Sequence, residues 1–267
     1  MRAHVLISLV GLAACGVNQT PQPDPTPQLP SCTPNRDGQI TADELPIALG
    51  ATVSYYARAN AMVNLTASPA NIFDLSAESA DDQVVAIGPV ALGAQWYAAS
   101  FPTGQFVVDA GSGLDGIYHQ DDRALWLDGT GSQTDGTDKT LIRYADPVAI
   151  LRFPLTDGLT YATTATLADA TVAGLPFNGT DQVDVDVTGG DRLDVPYVQF
   201  SPVLRVRTHV TRTPTTGTPV VGKRTTIFMF ECFGEVARAE SNANEAAADF
   251  TSAAYVRRFA LGEEVKP

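Results

Sequence analysis

The most constraining feature of this sequence is a strict alternation of side-chain character between residues 204 and 211. One set comprises Leu204, Val206, Thr208 and Val210, and the other comprises Arg205, Arg207, His209 and Thr211. A period of two is typical of a half-buried β-strand. The turn-forming run 214–219 follows, and residues 226–232 then alternate again. The sequence therefore predicts a β-hairpin within 195–232, with an apolar face that includes Leu204, Val206, Phe228 and Phe230.

Short runs of strand-forming residues, separated by turn residues, continue through most of the chain. The 22 glycines and 18 prolines favour frequent turns over helices. We predict an all-β, mainly antiparallel fold with little helix, built as a curved sheet, half-barrel, barrel or sandwich. One helical turn is predicted at 77–82. The predicted strands outside the hairpin are 52–57, 71–76, 96–97, 106–109, 116–120, 124–128, 141–144, 148–153, 159–167, 182–187, 195–200 and 255–261.

Size and charge limit the domain number and the partners. A chain of 267 residues, 44% of them hydrophobic, can bury one substantial core, so we predict a single domain over 32–267. The net charge of −13 gives a sequence pI near 4.5. Phosphate binding requires a dominant positive surface, so nucleic acid is excluded as an expected partner.

The N-terminal sequence predicts localisation to the bacterial cell envelope. Arg2 precedes the apolar run 5–10, and the small residues of 12–14 lead into Cys15. This pattern resembles the lipobox of bacterial lipoprotein precursors. The resemblance implies a signal peptide at 1–14, a lipidated Cys15, and, with Gly16 next, a lipid-anchored protein of the outer membrane facing the periplasm or the cell surface. An ordinary secretory signal with an incidental cysteine is the alternative.

Residues 15–31 are rich in proline and polar side chains, a composition that favours extended polyproline II and predicts a tether. Binding to a proline-recognition domain is the weaker interpretation. Once Cys15 is lipidated, Cys32 and Cys232 are the two remaining thiols. The envelope is oxidising, so we predict that they form a disulfide. Two separate buried thiols are the alternative.

Residues 33–44 have the spacing of a calcium-binding loop and form part of an entry segment, 32–50. The loop resembles those of EF-hands and dockerins, with Gly38 at the sixth place. The departures are Thr33 instead of an aspartate at the first place, and Pro46 where a helix would continue. A simple turn is the alternative to a Ca²⁺ site. The candidate ligands are Thr33, Asn35, Asp37, Gln39, Thr41 and Glu44.

A second resemblance covers residues 141–261. The segments FPLTDG (153–158), PYVQF (196–200) and CFGEV (232–236) look like a pattern in uncharacterised envelope lipoproteins. Those proteins are similar in turn to the LolA/LolB-like half-barrels. The resemblance implies an antiparallel sheet curled around an apolar face that shelters a lipid or another hydrophobic ligand. It indicates neither the residues that contact this ligand nor a protein partner.

Charged side chains on neighbouring predicted strands leave two interpretations open. Asp184 and Asp186 share one face of their strand, either as a metal or acid–base pair or as cross-strand partners of arginines. The basic side chains of the hairpin would either bind anionic lipid head groups or a phosphorylated glycan, or form salt bridges with Asp184, Asp186 and Asp194. These basic residues are Arg205, Arg207, Arg212, Lys223 and Arg224.

The sequence predicts a non-catalytic protein. After signal cleavage only His119 and His209 remain, and neither lies in a recognisable catalytic motif. We therefore predict a lipid-anchored envelope protein that binds a hydrophobic ligand. A structural or adhesive module of the cell surface is the alternative, and a carboxylate-dependent hydrolase is a weaker one. No cofactor is expected apart from Ca²⁺ in the loop 33–44.

Overall fold

The computed structural model describes residues 31–216 and 221–262. The predicted lipobox, the tether up to residue 30 and part of the predicted turn 214–219 lie outside these ranges. Within them the secondary structure is almost entirely strand, with three 3₁₀ turns at Ala42–Glu44, Leu92–Ala94 and Ala98–Ser100 and no α-helix. No helix in this part of the chain has the length and apolarity to cross a bilayer. The all-β prediction is confirmed.

The strands are numbered here in chain order. The first ten are β1 (Gln39–Ile40), β2 (Val53–Met62), β3 (Ile72–Asp74), β4 (Gln83–Ile87), β5 (Val90–Ala91), β6 (Phe106–Gly111), β7 (Leu114–Gln120), β8 (Ala124–Ser132), β9 (Leu141–Arg152) and β10 (Leu155–Thr156). The others in the described ranges are β11 (Thr160–Val172), β12 (Leu175–Phe177), β13 (Gly179–Gly190), β14 (Arg192–Val195), β15 (Val198–Phe200), β16 (Val203–Pro214), β17 (Val221–Phe230), β18 (Gly234–Ser241) and β19 (Ser252–Phe259).

One large antiparallel sheet dominates the described part of the chain. Its order is β4-β2-β19-β18-β17-β16-β13-β11-β9-β8-β7-β6-β5, with β12 paired to β11 beside this path. The edge strands β4 and β5 follow each other in the chain but are not paired, so the sheet is not closed into a barrel. Two small sheets accompany it, β1-β10 and β15-β14-β3.

The large sheet curls until distant strands face each other. Tyr118 of β7 and Arg238 of β18 are seven places apart in the strand order. The pKa of Tyr118 is raised by burial, lowered by Arg238 and raised by Glu235. The three side chains therefore lie near one another, although their strands are far apart in the order of the sheet. The face that carries these residues is called the concave face below.

The concave face is filled with packed apolar side chains along β9, β11, β13, β16 and β17. Leu204 and Val206 of β16 lie opposite Met229 and Ile227 of β17, and all four are buried. The cluster also contains Ile40, Leu45, Tyr144, Val148, Leu151, Leu155, Ala165, Leu167, Val183, Val185 and Val187. This confirms that the even-numbered residues of β16 and the odd-numbered valines of β13 face a core.

The outer face of the same strands is also covered, which corrects one prediction. Phe228 and Phe230 do not share a face with Leu204 and Val206, because the β16–β17 register places Phe228 opposite Arg205. Phe228 is fully buried and its ring meets Phe73 edge-on at 5.0 Å between centroids. The small sheet β15-β14-β3 supplies this second layer, with its buried residues Phe73, Leu193, Val195 and Phe200.

Two local predictions were wrong, and a third is confirmed only in part. Residues 77–82 contain one hydrogen-bonded turn, in which the Asp82 amide donates to the Ser79 carbonyl at 3.1 Å, but no helix. Residues 195–200 are not one strand, because Tyr197 takes a φ of 64° in the turn between β14 and β15. Residues 96–97 lie in an irregular segment and not in a strand.

The segment 92–104, here called the outer strap, packs on the convex side of β7 and β8. Tyr97 is buried and donates to Asp115 Oδ2 at 2.6 Å. A Cβ on Gly131 would lie 2.5 Å from the Tyr97 ring, so glycine lets the strap approach β8 closely. The predicted strand 96–97 lies in this strap, where Tyr97 packs against β7 and β8 and pairs with no described strand.

Candidate functional site

The domain entry is fixed to the turn between β17 and β18. Cys32 and Cys232 form a disulfide with Cα atoms 5.5 Å apart, which confirms the predicted pairing. The Arg36 amide donates to Glu231 Oε2 at 2.7 Å, and the Cys232 amide donates to the Glu44 carbonyl at 2.8 Å. The segment 32–44 is thus attached to this turn by a disulfide and two hydrogen bonds, and its strand β1 also pairs with β10.

The loop 33–44 folds around its own polar side chains. Asn35 Oδ1 accepts from the Asp37 amide and Asp37 Oδ1 from the Gln39 amide, each at 2.8 Å. Asn35 Nδ2 donates to Glu44 Oε1 at 2.7 Å, so the third and twelfth places of the loop meet. Glu44 Oε2 also accepts from the Thr41 amide and hydroxyl at 3.0 Å, which caps the 3₁₀ turn Ala42–Glu44.

The donor set of this loop is compatible with a weak calcium site. The set contains the carboxylates of Asp37 and Glu44 together with amide, hydroxyl and backbone oxygens. These are the hard ligands that Ca²⁺ prefers. The described residues contain no group of three or more His, Cys, Asp or Glu side chains arranged to hold a metal. Thr33 at the first place contributes no carboxylate, so the charge available to an ion is lower than in a full EF-hand loop.

A second candidate site is a groove on the outer side of the sheet, across β13, β16 and β17. Its cavity volume is about 180 Å³. The side chains that characterise this outer-face groove are Asp184, Asp186, Arg207, His209, Arg224 and Ala248. Asp184, Asp186, Arg207 and Arg224 were all candidates in the sequence, but no sequence pattern predicted that they border one cavity.

Most basic side chains of the hairpin form ion pairs. Arg207 contacts Asp186 Oδ1 at 2.6 Å and Asp249 Oδ1 at 3.0 Å. Further pairs are Arg205–Asp249, Arg212–Asp181 and Lys223–Glu240. The predicted salt-bridge arrangement is thus present for Asp186. Asp194 instead pairs with Arg192 on its own strand.

Three side chains of the groove form a row across adjacent strands. Asp184 of β13 lies opposite His209 of β16, which lies opposite Arg224 of β17. Burial and the neighbouring Arg224 lower the pKa of His209, although Asp184 acts in the opposite direction. His209 thus lies between an acidic and a basic neighbour, in surroundings that disfavour its charged form.

Comparisons with known proteins give no match for this chain. No family model, no curated protein and no solved structure matches it. The resemblances to lipoprotein precursors, EF-hand loops and LolA/LolB-like half-barrels therefore remain predictions.

The segment 242–249, which contributes Ala248 to the lining of the outer-face groove, is called its wall below. The Asn244 amide donates to the Gly222 carbonyl at 2.7 Å, and the Gly222 amide donates to Asn244 Oδ1 at 2.9 Å. At the other end of the segment, Asp249 pairs with Arg205 and Arg207. The wall is therefore held to β16 and β17 by bonds at both ends.

The concave face carries charge as well as apolar side chains. Glu235 pairs with Arg238 at 2.8 Å and with Arg257 at 2.5 Å, and Arg238 also approaches Glu240 at 3.6 Å. Burial raises the pKa of Glu235, but the two arginines outweigh this and bring it down to about 2. Farther along the sheet Asp181, fully buried, accepts from Arg212 and Tyr144. Sequence reasoning missed both networks.

His119 and Asp128 make the one His–carboxylate contact found in the described ranges. His119 Nδ1 lies 2.8 Å from Asp128 Oδ2, and Asp128 Oδ1 accepts from the Thr103 hydroxyl at 2.9 Å. The imidazole stacks on Trp126 with 10° between the ring planes. Because Thr103 belongs to the outer strap, these bonds fasten the strap to β7 and β8.

Proposed function

We propose that this protein is a non-catalytic, lipid-anchored component of the bacterial envelope that acts as a binding module through the outer face of its sheet. The lipobox-like residues 12–15 and the proline-rich tether support the anchor and the outer-membrane location. The tether leads to Cys32, whose disulfide fixes the entry to the turn before β18. The membrane is the first partner in this proposal, through the lipid on Cys15.

The occupation of the concave face by the protein's own side chains carries this proposal. One part is filled by the apolar cluster around Val206 and Val148, and another by the Glu235 network and the Asp181 pair. An acyl chain on this face would contact paired charges that are already desolvated, and separating them from their partners is costly. These contacts favour a binding or adhesive module over the hydrophobic-ligand hypothesis implied by the LolA/LolB-like resemblance.

Loss of the anchor is the first test. We expect Cys15→Ser to move the protein from the membrane fraction to the soluble fraction and to leave an unprocessed precursor, because serine cannot form the thioether to lipid. Ser31→Ala is the matched control, and it should leave fractionation unchanged. A Cys15→Ser protein that stays in the membrane with normal processing would refute the anchor.

Calcium binding by the loop 33–44 is a second proposed activity. The contact between Asn35 and Glu44 favours it, because it brings the third and twelfth places together around a turn centred on Gly38. A bound ion would be coordinated by the oxygens that now accept these internal hydrogen bonds. The expected affinity is that of extracellular calcium modules, with a Kd of about 10⁻⁴ to 10⁻³ M.

Calorimetry with Ca²⁺ checks the loop. We expect binding heat at millimolar Ca²⁺ that is lost in Asp37→Ala and in Glu44→Ala, since each variant removes one of the two carboxylates. Asp43→Ala is the control, because Asp43 lies in the loop but outside the candidate ligand set. Identical heats in all four proteins, or none in any, would leave a simple turn.

A further inference from the structure

We propose that the outer-face groove binds a small zwitterion, a molecule that carries an ammonium group and an acidic group a few ångströms apart. The inference deepens the proposed function and rests on it only in treating the outer face as the binding surface. It starts from the row Asp184–His209–Arg224, in which a carboxylate and a guanidinium lie on either side of an imidazole.

The two ends of this row carry charges that form no ion pair with any described residue. Arg224 donates through Nε to the Glu245 carbonyl at 2.9 Å, a bond that orients the guanidinium. Asp184 Oδ1 accepts from the Gln182 amide group at 2.9 Å. The adjacent Asp186, by contrast, is paired with Arg207. The groove therefore offers one acidic and one basic group of its own to a ligand.

The spacing of the row limits the ligand. Adjacent strands lie about 4.8 Å apart, so the backbones that carry Asp184 and Arg224 are separated by about 10 Å. A ligand would form one hydrogen bond with Asp184 and one with Arg224. The distance that remains between these two bonds fits a molecule whose opposite charges are separated by a few ångströms. The cavity of about 180 Å³ is smaller than the pockets of about 300–1,000 Å³ that hold drug-sized ligands, which suits a dipeptide better than a lipid chain.

The middle of the row is suited to such a molecule. Burial and the neighbouring Arg224 lower the pKa of His209, which disfavours a second positive charge beside Arg224. Its Nε2 would lie 3.0 Å from a Cβ on Gly222, so the absence of a side chain there lets the ring lie against β17. The wall 242–249 is held in place by Asn244 and Asp249, so the groove is formed before any ligand enters.

Two sources of this chemistry are distinguished by the probes. A free peptide carries an α-amino and an α-carboxyl group, and phosphoethanolamine, a lipid head group, carries an ammonium and a phosphate. The experiment is calorimetry on the full chain purified in mild detergent, with Ala-Ala and phosphoethanolamine as probes. N-acetyl-Ala-Ala, which lacks the ammonium group, and Ala-Ala-amide, which lacks the carboxylate, are the matched probes.

Each charged end is expected to contribute about tenfold or more in affinity, the usual size of a charge-assisted hydrogen bond. In the unaltered protein, N-acetyl-Ala-Ala and Ala-Ala-amide should each bind about tenfold more weakly than Ala-Ala. Asp184→Asn should weaken Ala-Ala binding but not that of the acetylated form. Arg224→Gln should weaken the binding of both Ala-Ala and N-acetyl-Ala-Ala, because both carry a carboxylate. Tighter binding of phosphoethanolamine than of Ala-Ala would assign the groove to head groups.

Arg143→Gln and Asp169→Asn are the matched controls, because these residues form an exposed pair elsewhere on the sheet. Neither change should affect binding. Absence of binding by both zwitterions at millimolar concentration would overturn the proposal, as would equal binding of all four probes. The comparison of probes needs no variant, so it holds even if a substitution impairs folding. Release of Cys15→Ser from membranes tests the proposed function separately.

Discussion

Removal of the Cys32–Cys232 disulfide is expected to destabilise the domain by up to about 5 kcal/mol. The bridge joins residues 200 positions apart, and closing so long a loop removes much of the conformational entropy of the unfolded chain. The variant to measure is the double change Cys32→Ser with Cys232→Ser, by urea unfolding. Residual order in the denatured chain makes the chain-entropy figure an upper one.

Reduction of the unaltered protein provides the comparison for this result. Dithiothreitol should lower the unfolding midpoint of the unaltered protein to that of the double variant and should not affect the variant itself. Two free thiols in the oxidised protein, counted under denaturing and non-reducing conditions, would contradict the bridge. Weaker Ca²⁺ binding after reduction would indicate that the disulfide also holds the loop 33–44.

Glu235→Gln is expected to cost about 3–5 kcal/mol, because it leaves Arg238 and Arg257 without their shared carboxylate on the concave face. Asp135→Asn is the control. It removes the same charge from an exposed pair with Lys139, and should cost less than about 1 kcal/mol. Urea unfolding of the three proteins at pH 7 measures both values. A loss for Glu235→Gln as small as for the control would contradict the network.

The same network predicts a pH dependence. The pKa of Glu235 is lowered in the folded protein from its ordinary value of 4.5 to about 2. A lowered carboxyl pKa stabilises the folded state above the unfolded pKa, and this stabilisation is lost as the pH falls toward the folded pKa. The stability difference between the unaltered protein and Glu235→Gln should therefore shrink between pH 4.5 and 2. A constant difference across this window would contradict the assignment.

Local sequence patterns predicted the strands well where one rule decides the structure. The alternation in β16 and in 183–187 corresponds to residues that truly face a core on one side. The disulfide was predicted by counting the thiols that remain once Cys15 is assigned to lipid. These features depend on period and composition, which are visible in a single sequence.

The features that sequence reasoning missed depend on contacts between distant residues. Phe228 was assigned to the wrong face because only the β16–β17 register, and the covering strand β3, show that both faces are buried. Arg224 looked like one of five equivalent basic residues until the ion pairs showed that Arg207 is neutralised by Asp186 and Asp249. Neither the register nor the pairing is encoded in a local pattern.

The central claim is that the lipid is an anchor and that the concave face is a filled core. Native mass spectrometry of the full chain extracted from membranes tests this claim most directly. The account predicts a chain that begins at Cys15 and carries covalent lipid, which survives denaturation, and that binds no additional lipid on the concave face. To exclude a lipid head group in the outer-face groove, the spectrum is repeated with Arg224→Gln. A further lipid that is present in the native spectra of both proteins and lost on denaturation would contradict the account, because the folded domain would then hold a lipid outside that groove.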